Sequence, residues 1–272
     1  MNKVELSIVT VGYKSEDTIG PFLDSIQKNR DKIAKEIIVV DNYPGDKGAD
    51  RAQKHSLKPT VIRNTENIGF SKAINQGINI CHGEYVLIIN PDTRIVGLAL
   101  KYLLEFARKT PKLGSVVPRL LNYDGSIQPS CSKFPTIWNA IRYNFFGCKN
   151  CFKKYNPGDE ITKVEVAVMA AFLIPKSVID YVGGLDERFF LYYEDVEFCR
   201  RLHQYGLPVY YLPKAKVQHA HGASGNFVSH LKSPLLKSAK IYYGSVYSAT
   251  LNLVLWIGHK WQVILRRKKF RD

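Results

Sequence analysis

The sequence lacks several motifs that would assign it to common classes of enzyme. It has no GxGxxG fingerprint, so little supports a dinucleotide-binding domain. Residues 7–20 contain no Gly-rich phosphate loop with a basic residue, which a sugar-1-phosphate nucleotidyltransferase would require. Internal repeats and low-complexity tracts are also absent. Evidence for any other class of enzyme must come from the predicted strands and helices and from the polar residues that end them.

Cysteine is scarce and scattered, with five residues in 272. Cys148 and Cys151 form a single CxxC without a second Cys or His pair at zinc-site spacing, so we expect two reduced cysteines in a loop. No signal peptide precedes the first predicted strand, which begins at about Val4. These features predict a cytosolic protein.

Acidic residues are also few, and the formal net charge is +15. Residues 101–154 hold ten Lys and Arg against two acids, and residues 251–272 hold six against one. Charge concentrated in two stretches indicates a polyanionic partner: nucleic acid, an anionic membrane face or a phosphorylated substrate. With 45% hydrophobic and 23% charged residues, the chain can still bury a substantial core.

The first hundred residues alternate short apolar runs with helical patterns, which predicts a mostly parallel sheet with helices on both faces. Ser15 and Ser71 are predicted to cap the helices that follow the first and third strands. The predicted strands are 6–11, 36–42, 60–64 and 84–93.

The second half is less regular. Residues 119–163 predict a long excursion rich in aromatic and basic residues, and strand character returns at 164–175. A helix is predicted from Glu194 to Tyr205, before Gly206. A strand at 208–213, a partly extended polar segment at 215–224 and a helical tail from about 234 follow.

Polar residues end the predicted strands, where ligands bind on such sheets. Asp41 and Asn42 end the second strand, and Asn90 and Asp92 end the fourth. A carboxylate in that position suits a hard divalent cation, because Mg²⁺ takes one or two carboxylates with water and phosphate oxygens. An Asx-Pro turn at Asn90-Pro91 and a turn at Asp41-Asn42 explain the same residues equally well.

Two further groups have a chemical and a structural interpretation. Glu194 and Asp195 at the start of a helix either complement its dipole or include a general base. His219 and His221 could bind a metal through neutral imidazole, or they could simply be surface residues of a loop.

The ordered set of these signals resembles glycosyltransferase family 2, and within it the rhamnosyltransferase-like enzymes of bacterial polysaccharide and O-antigen synthesis. The resemblance covers about 220 residues and is specific for the superfamily but not for the sugar. The matching stretches are SIVTVGYKSEDTI (7–19), EIIVVDN (36–42), NIGFSKAINQGI (67–78), LIINPDT (87–93), GGLDERFFLYYEDVEFCRRL (183–202) and HAHGAS (219–224).

The resemblance implies a GT-A fold, a Rossmann-like mostly parallel α/β sheet flanked by helices, followed by a C-terminal helical, membrane-proximal extension. Residues 1–230 would form the transferase domain, with 1–100 as the nucleotide-sugar half and 101–230 as the acceptor half. Residues 231–272 would form the basic aromatic tail.

The resemblance also implies roles for individual residues. Asp195 would be the catalytic base, with Glu194 as its acceptor-binding or orienting neighbour. Asp92 and His219 would bind Mg²⁺ or Mn²⁺, with Asn90 in the first position of a DxD-like pair. The donor would be a nucleotide diphosphate sugar, bound by Thr10, Tyr13, Asp41, Asn67, Gly69, Asn75, Asn90 and Asp92.

In the implied reaction, the metal neutralises charge on the departing diphosphate, the base takes the acceptor proton, and the anomeric centre inverts. The first choice of donor is dTDP-rhamnose, with UDP-hexoses as the alternative. The implied acceptor is a glycan linked to polyprenyl diphosphate. Two residues depart from the family pattern: Lys14 replaces the usual Asn after Tyr13, and Met169 replaces a Gly of the acceptor-side strand.

The tail at 251–272 mixes aliphatic residues and Trp with a terminal basic cluster. Polar residues interrupt it, so it has no apolar run of about 18 residues that could form a spanning helix. It predicts either an amphipathic helix on an anionic membrane, at the inner face of the cell membrane, or a helix docked on the domain.

Two other classes of protein compete with this interpretation. A nucleic-acid-binding protein fits the charge, but no helix-turn-helix, zinc pair or RNP-like strand supports it, and we expect no nucleic-acid partner. A degenerate transferase kept as a scaffold is disfavoured by the presence of Asp92, Asp195 and His219.

Overall fold

The computed structural model describes residues 3–29, 31–45, 47–220 and 228–269. Within them, one sheet has the strand order β3-β2-β1-β4-β10-β6-β11-β5, with β8 paired to β11, and β7 pairs with β9 in a small second sheet. The strands are β1 Leu6–Gly12, β2 Lys35–Asp41, β3 Thr60–Arg63, β4 Tyr85–Ile89, β5 Thr93–Val96, β6 Ser115–Leu121, β7 Cys131–Ser132, β8 Thr162–Val164, β9 Val166–Ala167, β10 Ala171–Pro175 and β11 Val209–His219. The helices are α1 Ile19–Lys28, α2 Lys47–Lys54, α3 Phe70–Asn79, α4 Ala99–Lys109, α5 Ile137–Phe145, α6 Lys176–Val182, α7 Glu194–Gln204, α8 Val228–Tyr243 and α9 Ser245–Lys269.

The first half of the sheet is parallel, as the sequence predicts: β1 pairs with both β2 and β4, and β2 pairs with β3. Successive side chains of a strand point to opposite faces, so each apolar strand supplies two cores. In β1, Leu6 and Ile8 belong to one buried cluster, and Val9 and Val11 belong to the other.

Helices cover both faces of the sheet. One cluster packs α1 and α4 against it, and the other packs α3, α6 and α7. The predicted α/β class, with a central sheet flanked by helices, is therefore confirmed.

The second half makes the sheet mixed. β10 runs antiparallel to β4 and β6, while β11 runs parallel to β6 and antiparallel to β5 and β8. β11 is continuous where the sequence predicts a strand and a separate polar segment. Its register shifts between Leu212 and Lys216, where Pro213 interrupts the ladder because it has no N–H to donate.

Both predicted helix caps are wrong. Helix α1 begins at Ile19, and Ser15 lies one turn before it, where its carbonyl accepts from the N–H groups of Thr18 and Ile19. Ser71 lies inside the first turn of α3, which Gly69 precedes. Helix α1 therefore begins four residues after Ser15, and helix α3 begins one residue before Ser71.

The excursion at 119–163 contains more structure than the sequence indicates, including the hairpin after β6 and helix α5. The expectation of reduced cysteines is wrong, because Cys148 and Cys151 form a disulfide in the loop after α5. A turn in which Cys151 N–H donates to the Cys148 carbonyl brings their Cα atoms to 5.5 Å, within disulfide range.

Helices α8 and α9 form the predicted helical tail, and both pack on the domain. Ser238 Oγ donates to the Leu191 carbonyl at 2.8 Å, and Ile137 N–H donates to Tyr247 Oη at 3.0 Å. Gly258 of α9 lies so close to Asn144 of α5 that an added Cβ would be 2.3 Å from the Asn144 Cγ. Across the described residues, every helix is too short or too polar to span a membrane.

Candidate active site

The candidate site lies where β1, β2 and β4 end. Gly12 and Asp41 are paired at the last position of β1 and β2, and Asn90 follows β4 directly. The carboxyl ends of parallel strands meet at one edge of the sheet, so these polar residues share that edge as the sequence predicts.

Strand pairing brings His219 to the same edge. β11 runs antiparallel to β5 with His219 opposite Thr93, and Ala220 N–H donates to the Asp92 carbonyl at 3.0 Å. His219 Nε2 therefore lies 3.4 Å from Asp92 Oδ1 and 3.5 Å from Asn90 Nδ2, although 127 residues separate Asp92 and His219 in the chain.

This cluster fits a divalent cation. Asp92 supplies a carboxylate and His219 an imidazole, their side chains are only 12% and 13% exposed, and the Asn90 amide adds a third polar group. Among the described residues, no three His, Cys, Asp or Glu side chains gather where a metal could bind. A cation here would thus keep open positions for phosphate oxygens and water, which is how Mg²⁺ binds beside diphosphates. His221, Gly222 and Ser224 of the predicted motif lie outside the described residues.

Aromatic and basic groups border the ends of β1 and β2. The rings of Tyr13 and Tyr43 pack edge to face at 5.0 Å, and Lys14 Nζ lies 5.3 Å from the Tyr43 ring centre. Asp41 is buried, accepts from Tyr43 N–H at 3.2 Å and lies 3.9 Å from Arg63 Nη1. An acidic acceptor beside aromatic faces and cations suits a nucleoside diphosphate. The sequence does not indicate Tyr43 and Arg63 for this site, because neither belongs to a recognisable motif.

Other predicted donor residues hold the loop that precedes α3. Asn42 Nδ2 donates to Asn67 Oδ1 at 2.8 Å, and Asn42 Oδ1 accepts from Ile68 N–H at 3.1 Å. Gly69 has φ +90° and contacts Phe190 so closely that an added Cβ would lie 2.8 Å from its ring. These contacts make Asn67 and Gly69 part of the scaffold, and their donor contacts stay predictions.

Asn75 and Thr10 also have clear positions. The Asn75 amide donates to the Leu185 carbonyl at 2.8 Å and accepts from Leu185 N–H at 2.9 Å, so it fastens α3 to the loop before α7. Thr10 is fully buried in β1, and its hydroxyl has no hydrogen-bond partner among the described residues. Their roles as donor contacts also stay predictions.

The loop that leads into α7 has an unusual backbone. Tyr192 and Tyr193, two bulky residues, have φ values of +70° and +68°, and Glu194 begins the helix immediately after them. Such conformations persist only where surrounding contacts enforce them, and they concentrate at functional sites. Two hydrogen bonds hold the residues just before the tyrosines: the Phe190 carbonyl accepts from Phe70 N–H at 2.7 Å, and the Leu191 carbonyl accepts from Ser238 Oγ at 2.8 Å.

The two acids at this helix start have different surroundings. Glu194 is buried, and its Oε2 has no hydrogen-bond partner within the part of the chain that the structure describes. Asp195 is half-buried, and its Oδ1 accepts from Val196 N–H at 2.8 Å. Burial raises the pKa of both carboxyls, and the Asp195 charge raises that of Glu194 further. The positive charge of Lys154 opposes both shifts. Glu194 is therefore the carboxyl that favours a proton, and Asp195 is the more accessible one.

The third acid of the first turn, Glu197, is structural. Its carboxylate binds the Arg201 guanidinium at 2.8 Å, and Arg201 also donates to the Val182 and Gly184 carbonyls at 2.8 Å. This network fixes α7 against the loop before it.

Helix α8 completes the surroundings of the acid pair. The Tyr193 ring lies 5.4 Å from Tyr242 and 5.7 Å from Tyr243, and Tyr243 Oη donates to the Pro135 carbonyl. No periodicity in the tail indicates this contact, because it depends on where α8 packs. Met169, one of the two departures from the family pattern, is buried in the same core cluster as Phe198 and Cys199 of α7.

A family model described as Glycosyl transferase family 2 matches residues 7–156. The N-acetylglucosaminyl-diphospho-decaprenol L-rhamnosyltransferase of Mycobacterium tuberculosis is 26% identical over 249 residues, which cover 83% of this chain and 80% of that protein. The dTDP-rhamnosyl transferase RfbF of Shigella flexneri is 25% identical over 216 residues, covering 76% of this chain and 67% of that one.

A solved structure shares the fold. The crystal structure of GalNAc-T7 with UDP, GalNAc and Mn²⁺ superposes with a TM-score of 0.64 at 16% identity, covering 80% of this chain. The chain spans 43% of the length of that protein. At this identity the likeness concerns the architecture alone.

Proposed function

The chain belongs to glycosyl transferase family 2, and we propose that it is an inverting transferase that uses a nucleotide diphosphate sugar. L-rhamnose from dTDP-rhamnose is the proposed donor sugar, because two relatives that span most of the chain are named for rhamnosyl transfer. The proposed acceptor is a glycan linked to polyprenyl diphosphate, in cell-surface polysaccharide synthesis. This acceptor rests on the name of the mycobacterial relative.

The convergence of Asn90, Asp92 and His219 at the strand ends is the observation that best supports this proposal. Asp92 and His219 would hold Mg²⁺ or Mn²⁺ there. When bound, such an ion supplies Lewis-acid stabilisation of the departing diphosphate. Tyr13, Tyr43 and Asp41 would hold the nucleoside, with Lys14 near the phosphates.

Asp195, in the first turn of α7, would take the proton of the attacking acceptor hydroxyl. A base of this kind contributes a rate factor of about 10²–10⁴. Glu194 would stay protonated behind it, because its burial disfavours a second charge. A protonated Glu194 leaves Asp195 as the charged member of the pair.

A donor panel tests the sugar and the nucleotide. dTDP-rhamnose, UDP-glucose, UDP-galactose and UDP-N-acetylglucosamine would each be offered with Mg²⁺ or Mn²⁺ and a lipid-linked N-acetylglucosamine acceptor. Transfer from dTDP-rhamnose alone supports the proposal, and transfer from a UDP-hexose alone replaces rhamnose with that sugar.

Asp195→Asn tests the base. The expected loss in kcat is about 10²–10⁴-fold, with donor affinity retained. Asp180→Asn is the matched control, because Asp180 is an exposed partner of Lys176 on α6. Full turnover by Asp195→Asn would remove Asp195 from the mechanism.

We also propose that α9 binds the anionic inner face of the cell membrane. Leu253, Trp256, Ile257 and Trp261 are exposed on it, and Lys260 lies 5.9 Å from the Trp256 ring centre. Exposed aromatic residues mixed with lysine are typical of interfacial helices, where each basic residue adds about 1 kcal/mol near an anionic leaflet.

Flotation with phosphatidylglycerol vesicles tests this placement. The chain is expected to float with them and not with phosphatidylcholine vesicles, and Trp256→Ser/Trp261→Ser should reduce the floated fraction. If this double variant floats as well as the wild type, the exposed face of α9 is not the surface that binds the membrane.

A further inference from the structure

The His219 ring is held by a residue outside every predicted motif. His219 Nδ1 lies 2.8 Å from Oε1 of Gln128, which is buried in the hairpin after β6. The Gln128 Nε2 faces two oxygens, Asn122 Oδ1 at 3.0 Å and the His219 backbone carbonyl at 3.4 Å. A backbone carbonyl can only accept, so the amide nitrogen belongs on that side and Oε1 must face Nδ1.

Hydrogen bonds elsewhere in the hairpin favour the same orientation of the Gln128 amide. Asn122 Nδ2 donates to Ser126 Oγ at 2.8 Å, and Ser126 Oγ donates to Asp124 Oδ1 at 2.6 Å. Bonds from the Ser126 hydroxyl and N–H lower the pKa of Asp124, which keeps it an ionised acceptor. Each donor in the series Gln128, Asn122, Ser126 therefore points toward Asp124, and the acceptor left at the far end is Gln128 Oε1.

The orientation of the Gln128 amide decides which ring nitrogen of neutral His219 carries the proton. An acceptor at 2.8 Å requires a proton on Nδ1, so in the neutral ring Nε2 carries the lone pair. Nε2 is the atom that faces Asp92 and Asn90. We propose that Gln128, oriented by the hairpin at 122–128, is a positioning residue that holds His219 in the Nδ1–H tautomer. In this tautomer the lone pair of Nε2 is available to bind a cation.

The inference rests on the cation site of the proposed function, but the tautomer can be measured without any metal. Gln128→Met keeps the size of the side chain and removes the acceptor. Gln128→Glu keeps an acceptor opposite Nδ1. Gln27→Met is the matched control, because Gln27 is exposed on α1.

The first readout is ¹⁵N NMR of the histidine rings in metal-free protein at alkaline pH, with His219 assigned through His219→Gln. The wild type, Gln128→Glu and Gln27→Met are expected to show protonated Nδ1 and unprotonated Nε2 at His219. Gln128→Met is expected to show a shifted tautomer population. A wild-type tautomer in folded Gln128→Met would overturn the inference.

The second readout is Mn²⁺ binding in the presence of dTDP, followed by EPR of the free ion. Gln128→Met should bind Mn²⁺ about 10–100-fold more weakly than wild type, and Gln128→Glu should stay close to wild type. If wild type holds the Nδ1–H tautomer and binds no Mn²⁺, the proposed cation site fails while the tautomer assignment stands. If Gln128→Met binds Mn²⁺ as wild type does, the positioning role is refuted.

Discussion

Gly69→Ala tests whether the loop before α3 positions the acid pair through Phe190. Gly69 has φ +90° and ψ 162°, a region that essentially only glycine occupies. A Cβ at this position would lie 2.8 Å from Phe190 Cδ2 and 2.9 Å from the Phe190 carbonyl oxygen. The same carbonyl accepts from Phe70 N–H at 2.7 Å, so moving Phe190 away from Gly69 would stretch that bond.

Gly183→Ala is the matched control. Gly183 has nearly the same backbone, φ 85° and ψ 165°. Of the residues that the structure describes, its added Cβ would meet only Arg201, at 3.4 Å from the guanidinium. Both substitutions carry a backbone cost of about 1–3 kcal/mol. Gly69→Ala adds overpacking of about 1–3 kcal/mol. The expected difference in the free energy of unfolding is therefore about 1–3 kcal/mol.

The catalytic effect should separate the two variants further. Phe190 lies five residues before Asp195 in a loop with two left-handed tyrosines, so we expect a displacement of Phe190 to displace Asp195, the proposed base. A misplacement of about 1 Å costs on the order of 10²-fold in rate, and we expect a kcat loss approaching that for Gly69→Ala.

Urea unfolding and initial-rate kinetics with the donor found in the panel would measure both effects. Gly183→Ala should lose stability and retain kcat. Equal stability and equal kcat for the two variants would refute the proposed link between Gly69, Phe190 and the acid pair.

Further predictions concern the acid pair, the tail and the cation cluster. Burial raises the pKa of Glu194 above its ordinary 4.5, so the free energy of unfolding falls as the pH rises from that value toward the raised pKa. Glu194→Gln should remove this loss of stability. The urea midpoint of the variant should therefore exceed that of the wild type at about pH 9, and the two midpoints should differ less at about pH 5. Gly258→Ala should destabilise despite a helix-propensity gain of about 1 kcal/mol, because its Cβ would meet Asn144. Gly20→Ala should stabilise, because no atom of the described residues beyond its own helix backbone and chain neighbours lies within 4 Å of the added Cβ. A stabilised Gly258→Ala would contradict the packing of α9. Asp92→Asn should weaken Mn²⁺ binding by about tenfold or more in the EPR titration, since a carboxylate charge is lost, and unchanged binding would place the ion elsewhere.

Much of the proposed donor site at the ends of β1, β2 and β4 could be predicted from the sequence. The apolar runs that become β1, β2 and β4 are short and bounded by polar residues, and their parallel pairing follows from the helices between them. The positions of Asp41 and Asp92 at one edge follow from that topology without any knowledge of tertiary contacts.

The surroundings of the acid pair could not be predicted in the same way. Tyr242 and Tyr243 lie about fifty residues after Asp195, and only the packing of α8 brings them to Tyr193. Gln128 follows a turn sequence whose polar residues have an ordinary explanation as hairpin formers. Its importance appears only when β11 places His219 beside it.

The sequence alone therefore determined, to within about one residue, where β1 and β2 end, and it determined that Asp41 ends β2 and that a helix begins with Glu194 and Asp195. These features depend on contacts between residues close in the chain, where periodicity and turn chemistry decide the outcome. Tertiary structure alone decided which groups surround His219 and how deeply Glu194 is buried relative to Asp195. Each of these depends on groups far apart in sequence, whose proton affinities and orientations are set only when packing removes water and brings their partners within hydrogen-bond distance.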